Sequence, residues 1–278
     1  MDVVEAEGLV KKYGDGTAAL KGIDLKIGKK NTIILGQNGA GKTTLLRILS
    51  TQLSPTSGKA KVLGYDVLHD AGKVRSRIVS IPQEADIMEE LTPQEHLEIY
   101  LSARGMDGKE SAKRTEKAFK ALGLYGVKDK TANFLSGGMK RKIFVSMALA
   151  SDAELVFLDE PTLGLDPISR LEVWSAIRKL KGKVILTTHY LEEAKFLADE
   201  IVLISSGRVA MQGTVEGLLK PLGDLMRVDG LDKGDKSFKI GDIRMSYLPP
   251  REAIRYSKKG FEVRQLDLED LFILGEFK

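Results

Sequence analysis

The segment Gly36-Gln37-Asn38-Gly39-Ala40-Gly41-Lys42-Thr43-Thr44 has the residue types and spacing of a phosphate-binding loop. Its glycines let the backbone curl until successive N–H groups point at phosphate oxygens, and the N-terminus of the following helix adds partial positive charge. Lys42 is placed to reach the β- and γ-phosphates of a nucleoside triphosphate, and the Thr43 hydroxyl is a candidate Mg²⁺ ligand. A bare strand-to-helix turn would need glycine, but not Lys and Thr directly after Gly41. A second feature is the carboxylate pair that ends Leu155-Val156-Phe157-Leu158-Asp159-Glu160. Asp159 is expected to hold Mg²⁺, directly or through water, and Glu160 to face the γ-phosphate as base or water-orienting group. Such pairs are common helix caps in isolation; the phosphate loop upstream supplies the partner that gives this one a chemical role. A third is Leu135-Ser136-Gly137-Gly138-Met139-Lys140-Arg141, which opens a helix. Taken alone, Ser-Gly-Gly reads as a linker and helix cap; the alternative is that Ser136 and the amides of Gly137 and Gly138 form an anion site with no partner of its own in the chain.

These residues need a scaffold that brings distant segments to one edge. Thr32 to Leu35, Ile78 to Ile81, Leu155 to Leu158, Val184 to Thr187 and Ile201 to Ile204 are short apolar runs, as strands buried on both faces are. Val3 to Lys11 and Ala19 to Ile27 alternate instead, as strands with one wet face do. Helical stretches lie between them. Thr92-Pro93-Gln94-Glu95 is a capping box with Pro at the first helical position, and Asp166-Pro167 opens a helix expected to run to Lys181. The class is therefore α/β, with ligands expected at the carboxyl ends of the strands. Thr214 caps a short helix to Lys220, after which Pro221, Gly223, Gly230 and Gly234 break the pattern and put a domain boundary near residue 225.

With these motifs in view, the sequence resembles the ATP-binding cassette (ABC) ATPases. The Leu-Ser-Gly-Gly stretch is similar to that family's signature loop, and the resemblance implies that Ser136, Gly137 and Gly138 meet the γ-phosphate held by the phosphate loop of a second subunit. Other pieces stand in the family's order. Tyr13 matches the aromatic that stacks on adenine. Gln83, in Ile81-Pro82-Gln83-Glu84, matches the glutamine that contacts Mg²⁺ or water and senses the transport partner. Gly164-Leu165-Asp166 matches the D-loop, and His189 the switch histidine at the γ-phosphate. The implied nucleotide-binding set is Tyr13, Gly36, Asn38, Gly39, Ala40, Gly41, Lys42, Thr43, Thr44, Ser136, Gly137, Gly138 and Asp166. Glu160, His189 and Gln83 are the implied catalytic residues, and Thr43, Gln83 and Asp159 the implied metal ligands. The cofactors are ATP and Mg²⁺. Two positions depart from the pattern: Met139 stands where Gln is usual, and Leu163 where Ser is usual. The expected result is altered interface detail with hydrolysis retained.

The implied architecture is a P-loop NTPase of the ABC type over residues 1–225. It has a RecA-like core sheet, an antiparallel β subdomain and a helical subdomain at about 84–150, followed by a small α+β accessory domain over 226–278. That last stretch nearly balances its charges and contains strand patterns at Phe238 to Ile240 and Phe261 to Leu266 and a helix at Pro250 to Lys258. Its end places Leu268, Leu271, Phe272 and Gly275 at helical spacing, an apolar stripe that must be covered.

Composition narrows the function. No apolar run approaches the roughly 18 residues of a membrane-spanning helix, so a partner is expected to supply any bilayer passage. Met1 to Glu5 carries no secretory signal, and with 0 Cys and three scattered His, zinc or disulfide chemistry is not expected. An aromatic share of 6% offers little base-stacking surface, so no nucleic-acid partner is expected. The resemblance, with Leu91-Thr92-Pro93-Gln94-Glu95-His96-Leu97 and the ending Leu268-Glu269-Asp270-Leu271-Phe272, is to the ATPases of ABC-2 type exporters. It implies an ATP-hydrolysing subunit that powers export through a separate integral membrane permease. The cassettes would close on ATP as a homodimer, or as a heterodimer with a related cassette, in the cytoplasm against the inner face of the cell membrane. The alternative is a non-transport ABC ATPase acting on ribosome or DNA. It would call for two cassettes or long coiled-coil insertions, and the span from Thr44 to Leu135 has no sustained heptads.

Overall fold

A computed structural model describes residues 2–274. The chain begins with β1 (Val4–Lys12) and β2 (Ala18–Ile27), then β3 (Asn31–Leu35) feeds the phosphate loop and α1 (Lys42–Leu49). β4 (Ser57–Val62), β5 (Tyr65–Asp66) and α2 (Ala71–Arg77) lead to β6 (Ile78–Ile81). Three helices follow, α3 (Pro93–Ala103), α4 (Gly108–Ala121) and α5 (Gly137–Ser151). The remaining core alternates as β7 (Leu155–Asp159), α6 (Pro167–Arg178), β8 (Lys183–Thr188), α7 (Leu191–Leu197), β9 (Glu200–Ser205) and β10 (Arg208–Gly213).

These elements form two sheets. The core sheet runs in the order β10-β9-β3-β8-β7-β6. β3 pairs in parallel with both β8 and β9, and β7 with both β6 and β8. β3 and β7 are buried at every position, which explains their unbroken apolar reading. The second sheet, β2-β1-β4-β5, is antiparallel where β1 meets β2 and β4 and where β4 meets β5. Val4, Ala6 and Leu9 of β1 turn inward and pack with Leu20, Ile23, Leu25 and Ile27 of β2 on Leu45, Leu46, Ile48 and Leu49 of α1. One core thus anchors α1 from both sides and fixes the phosphate loop that precedes it.

The helix starts follow their local chemistry. Thr92 and Glu95 form the reciprocal capping box, Asp107 accepts from the amides of Lys109 and Glu110, and Asp166 accepts from those of Ile168 and Ser169. α6 ends at Arg178, short of Lys181. The short strands β4, β5 and β10 and the helices α2, α4 and α7 have no counterpart in the sequence reading. In β4 only Ala60 and Val62 are buried, so lysines and glycine hide its periodicity.

The chain divides into two compact units at Met211/Gln212, ahead of the expected boundary near 225, because α8 (Val215–Leu219) packs with α10 (Leu268–Leu274). Between these lie β11 (Met226–Asp229), β12 (Ser237–Ile240), β13 (Ile243–Leu248), α9 (Pro250–Ser257) and β14 (Glu262–Gln265). The strands form an antiparallel sheet ordered β12-β13-β11-β14, with Val228, Leu248 and Ala253 at its core. Leu268 and Leu271 of the terminal stripe are buried, as is Asp270, which accepts from Tyr247 Oη at 2.8 Å and Arg227 Nη1 at 3.2 Å. Gly275 lies outside the described residues.

Candidate functional site

The register of the core sheet assembles the site. Leu35 at the end of β3 stands opposite Thr188 at the end of β8, and Thr187 stands opposite Asp159 at the end of β7. The phosphate loop, the carboxylate pair and His189 therefore leave the carboxyl ends of three adjacent strands, where open α/β sheets bind ligands.

Two glycines of the loop are required by space and by dihedral. A Cβ at Gly36 would lie 2.4 Å from the Ile204 carbonyl oxygen. Gly41 has φ +105°, and its Cβ would lie 2.6 Å from the Ala19 carbonyl oxygen. Lys42, 5% exposed at the start of α1, donates to the carbonyls of Gly36 at 2.9 Å and Gln37 at 3.2 Å. Its Nζ is 3.5 Å from Glu160 Oε1. The Thr43 hydroxyl donates to Asp159 Oδ1 at 3.1 Å, and the Thr187 hydroxyl donates to the same oxygen.

Glu160 is held in an uncommon backbone conformation for a non-glycine residue, with φ +49°. Its amide donates to both the carbonyl and the hydroxyl of Thr187, each at 3.1 Å. Holding such a conformation costs on the order of 1–3 kcal/mol, which the strand ladder offsets. His189 Nδ1 approaches Glu160 Oε2 to 2.7 Å, yet the pair is not aligned as a hydrogen bond, and among the described residues both buried atoms are without a hydrogen-bond partner. An unsatisfied buried carboxylate oxygen beside a hydroxyl–carboxylate pair suits a water and a hard cation.

An open cleft of about 450 Å³ gathers Asn38, Gly39, Gly41, Lys42, Thr43, Thr44, Gln83, Glu160 and His189. Gly36 and Ala40 belong to the same loop, and Asp159 lies behind it, bonded to Thr43. Tyr13 stands apart from the cleft lining; its hydroxyl is 3.2 Å from Thr44 Oγ1, and Lys11 Nζ lies 5.5 Å from its ring centre. The signature residues are also elsewhere. Ser136 caps α5 by accepting from the Met139 amide at 3.2 Å, and Gly137 lines a separate groove with Gln83, Arg141 and Leu163. Asp166 caps α6, and its hydrogen bonds from the Ser169 side chain and amide hold its carboxyl below the usual range.

The sequence reading passed over Arg141 and Thr187. The Arg141 guanidinium donates to the carbonyls of Gln83 at 2.8 Å, Asp159 and Glu160 at 2.9 Å, Pro161 at 3.3 Å and Pro82 at 3.4 Å. It joins the signature helix to both acidic and glutamine loops. Its only sequence signal is an arginine one turn into a helix that soon becomes apolar.

Fold and cleft define a P-loop nucleotide-hydrolysing cassette. The family model described as ABC transporter matches residues 20–163. A daunorubicin resistance ATP-binding protein of Streptomyces coeruleorubidus is 41% identical over 224 residues, 79% of this chain and 71% of that protein. The daunorubicin/doxorubicin resistance ATP-binding protein of Streptomyces peucetius is 41% identical over the same share of this chain and 68% of its own length. Among solved structures, the ATP-binding subunit of an ABC transporter aligns with TM-score 0.72 at 26% identity, covering 80% of this chain and 93% of that one. A dimeric cassette in a post-hydrolysis state with ADP and Pi aligns with TM-score 0.69 at 28% identity, covering 76% and 98%. The chain belongs to the ABC transporter family. It is an ATP-binding ATPase that powers transport, and no helix among the described residues is long and apolar enough to cross a membrane.

Proposed function

We propose that this subunit hydrolyses Mg²⁺-ATP to drive export through a separate membrane-spanning permease, working as a pair of cassettes docked on the inner face of the membrane. The convergence of Thr43 and Thr187 on Asp159, beside Glu160 flanked by Lys42 and His189, carries the reading. Export is supported by relatives named for drug resistance. Thr43, Asp159 and Gln83 would hold Mg²⁺, which supplies charge neutralisation across the β- and γ-phosphates. The amides of residues 38–44 cradle the phosphates, and Lys42 turns its ammonium from loop carbonyls to phosphate oxygens. Glu160 orients water and takes its proton as the water oxygen attacks phosphorus and ADP leaves. His189 holds the Glu160 carboxylate and faces the transferred phosphoryl group. Ser136, Gly137, Gly138 and Asp166 act from the second cassette; within the described residues the side chains of Ser136 and Asp166 cap helices of their own chain. The test is Mg²⁺-dependent ATPase activity of the full chain, and its co-purification with an integral membrane protein. An inactive chain, or one that co-sediments only with ribosomes, refutes the reading.

Lys42→Ala is expected to weaken ATP binding by roughly 10- to 100-fold, the worth of a charge-assisted hydrogen bond of about 1.5–3 kcal/mol. Isothermal titration measures it; unchanged affinity would remove Lys42 from the phosphate site. Tyr13→Ala is expected to weaken ATP and GTP alike by about 1–3 kcal/mol, because an aromatic face accepts either base. Tyr13→Phe loses only the contact with Thr44 and should bind as the native chain does. Equal ATP affinity in all three proteins would assign Tyr13 to packing.

A further inference from the structure

Glu193 lies in the first turn of α7, just past His189, and is completely buried. Its Oε1 accepts from the Thr162 hydroxyl at 2.9 Å and from Trp174 Nε1 at 2.8 Å, while Oε2 is buried without an aligned partner among the described residues. For packing alone, an apolar side chain would avoid the desolvation that a carboxyl suffers here.

The bonded groups lie on the segments that follow Glu160 and Asp166. Thr162 follows Glu160 and Pro161 and is itself fully buried. It lies in a double turn, in which Leu163 N donates to the Glu160 carbonyl and Leu165 N to the Thr162 carbonyl, both at 3.2 Å. That turn carries Gly164 and Asp166 into α6, and Trp174 belongs to α6. One carboxylate oxygen therefore joins the helix after His189, the turn after Glu160 and the helix opened by Asp166. A second contact reinforces the His189 end. The Tyr190 ring packs 4.2 Å from the imidazole, and the Arg170 guanidinium of α6 lies 4.5 Å from the Tyr190 ring centre.

We propose that Glu193 is a positioning residue for hydrolysis: by tying α7 to Thr162 and Trp174, it sets the approach of the His189 imidazole to the Glu160 carboxylate. This rests on the hydrolytic roles given above to Glu160 and His189. Burial pushes the Glu193 carboxyl up, and the negative charge of Glu160 adds to that, against the hydroxyls of Thr188 and Thr162 and the Trp174 indole. A neutral acid and a glutamine amide offer the same acceptor oxygen to Thr162 and Trp174. The interaction is thus made by an acceptor at this point in space, and its effect falls on the chemical step rather than on nucleotide binding, because the bonds of Glu193 go to Thr162 and Trp174, on the segments after Glu160 and Asp166.

The test compares Glu193→Gln and Glu193→Leu in the full chain by kcat, KM, ATP affinity and melting temperature. Glu193→Gln should keep kcat within about threefold of native, while Glu193→Leu should lose about 10- to 100-fold in kcat with ATP affinity and KM within about twofold, as expected when groups are misplaced by less than an ångström or so. Should Glu193→Leu fail to fold, Thr162→Val and Trp174→Phe carry the test, since each removes one donor without opening a large cavity. Each is expected to lower kcat at constant KM. Native kcat in folded Glu193→Leu overturns the proposal, as does native kcat in either Thr162→Val or Trp174→Phe where Glu193→Leu does not fold. So does Glu193→Gln as slow as Glu193→Leu, or a loss in which affinity and melting temperature fall together with kcat. An active Glu160→Gln chain would instead refute the hydrolytic reading, whereas an inactive Glu160→Gln beside a native Glu193→Leu refutes only this inference.

Discussion

Replacing Glu160 by Gln is expected to lower ATP turnover by about 10²- to 10⁴-fold, the usual worth of a positioned general base, while leaving ATP binding close to native. The amide has the size of the carboxylate and can occupy the same backbone conformation, which Thr187 holds through two bonds to the residue 160 amide. It cannot accept a proton from water. Lys42, Thr43 and Asp159 keep their geometry, so the phosphate loop still binds nucleotide. The two surfaces proposed to share the γ-phosphate then stay joined, because nothing removes it. Size-exclusion chromatography with ATP and Mg²⁺ should show the variant as a dimer that ADP does not support. Native turnover in the variant would take Glu160 out of the chemistry. A variant that is inactive and stays monomeric with bound ATP would keep Glu160 as base but refute the shared phosphate site.

Much of this site is legible in the chain because the residue types themselves do the chemistry. Gly36 and Gly41 occur where a Cβ would strike a carbonyl oxygen, Lys42 and Thr43 follow them at the helix start, and Asp159 and Glu160 end a strand buried along its length. The core strands are legible for the same reason: burial on both faces leaves apolar runs. β4 is not, since most of its side chains face water; in the second unit β11 is only four residues long and β13 buries Met245 to Leu248 consecutively, so neither shows a strand period. The early unit boundary is hidden too, because the packing of α8 with α10 joins segments some fifty residues apart and has no local mark. Glu193 and Arg141 are invisible for a related reason. Their partners are set by which segments the fold brings together, Thr162 and Trp174 for Glu193 and five backbone carbonyls for Arg141, and a carbonyl acceptor carries no side-chain signature at all.

That makes Arg141 the strongest test of the structure against the sequence. Its planar guanidinium reaches five carbonyl oxygens, two from the segment of Gln83 and three running from Asp159 through Pro161. Burial alone disfavours its charge, and the carboxylates of Asp159 and Glu160 offset part of that cost. The charge is spread over a fork whose shape matters as much as its sign. Arg141→Lys keeps a cation but offers one nitrogen on a flexible stem, so it can serve one of the two segments and leaves the other's carbonyls unpaired. The expected loss is about 2–4 kcal/mol of stability, from one or two hydrogen bonds to a charged group that are no longer made. ATPase activity should fall further than stability explains, because the freed segments carry Gln83 and Glu160. Arg141→Ala should lose more of both. Differential scanning fluorimetry read beside ATPase rates at a temperature where every variant is folded separates the effects. Native turnover in folded Arg141→Lys would show that the carbonyl fan only stabilises the fold. A rate loss at constant ATP affinity would mean that the signature helix sets the geometry of the acidic pair in its own chain.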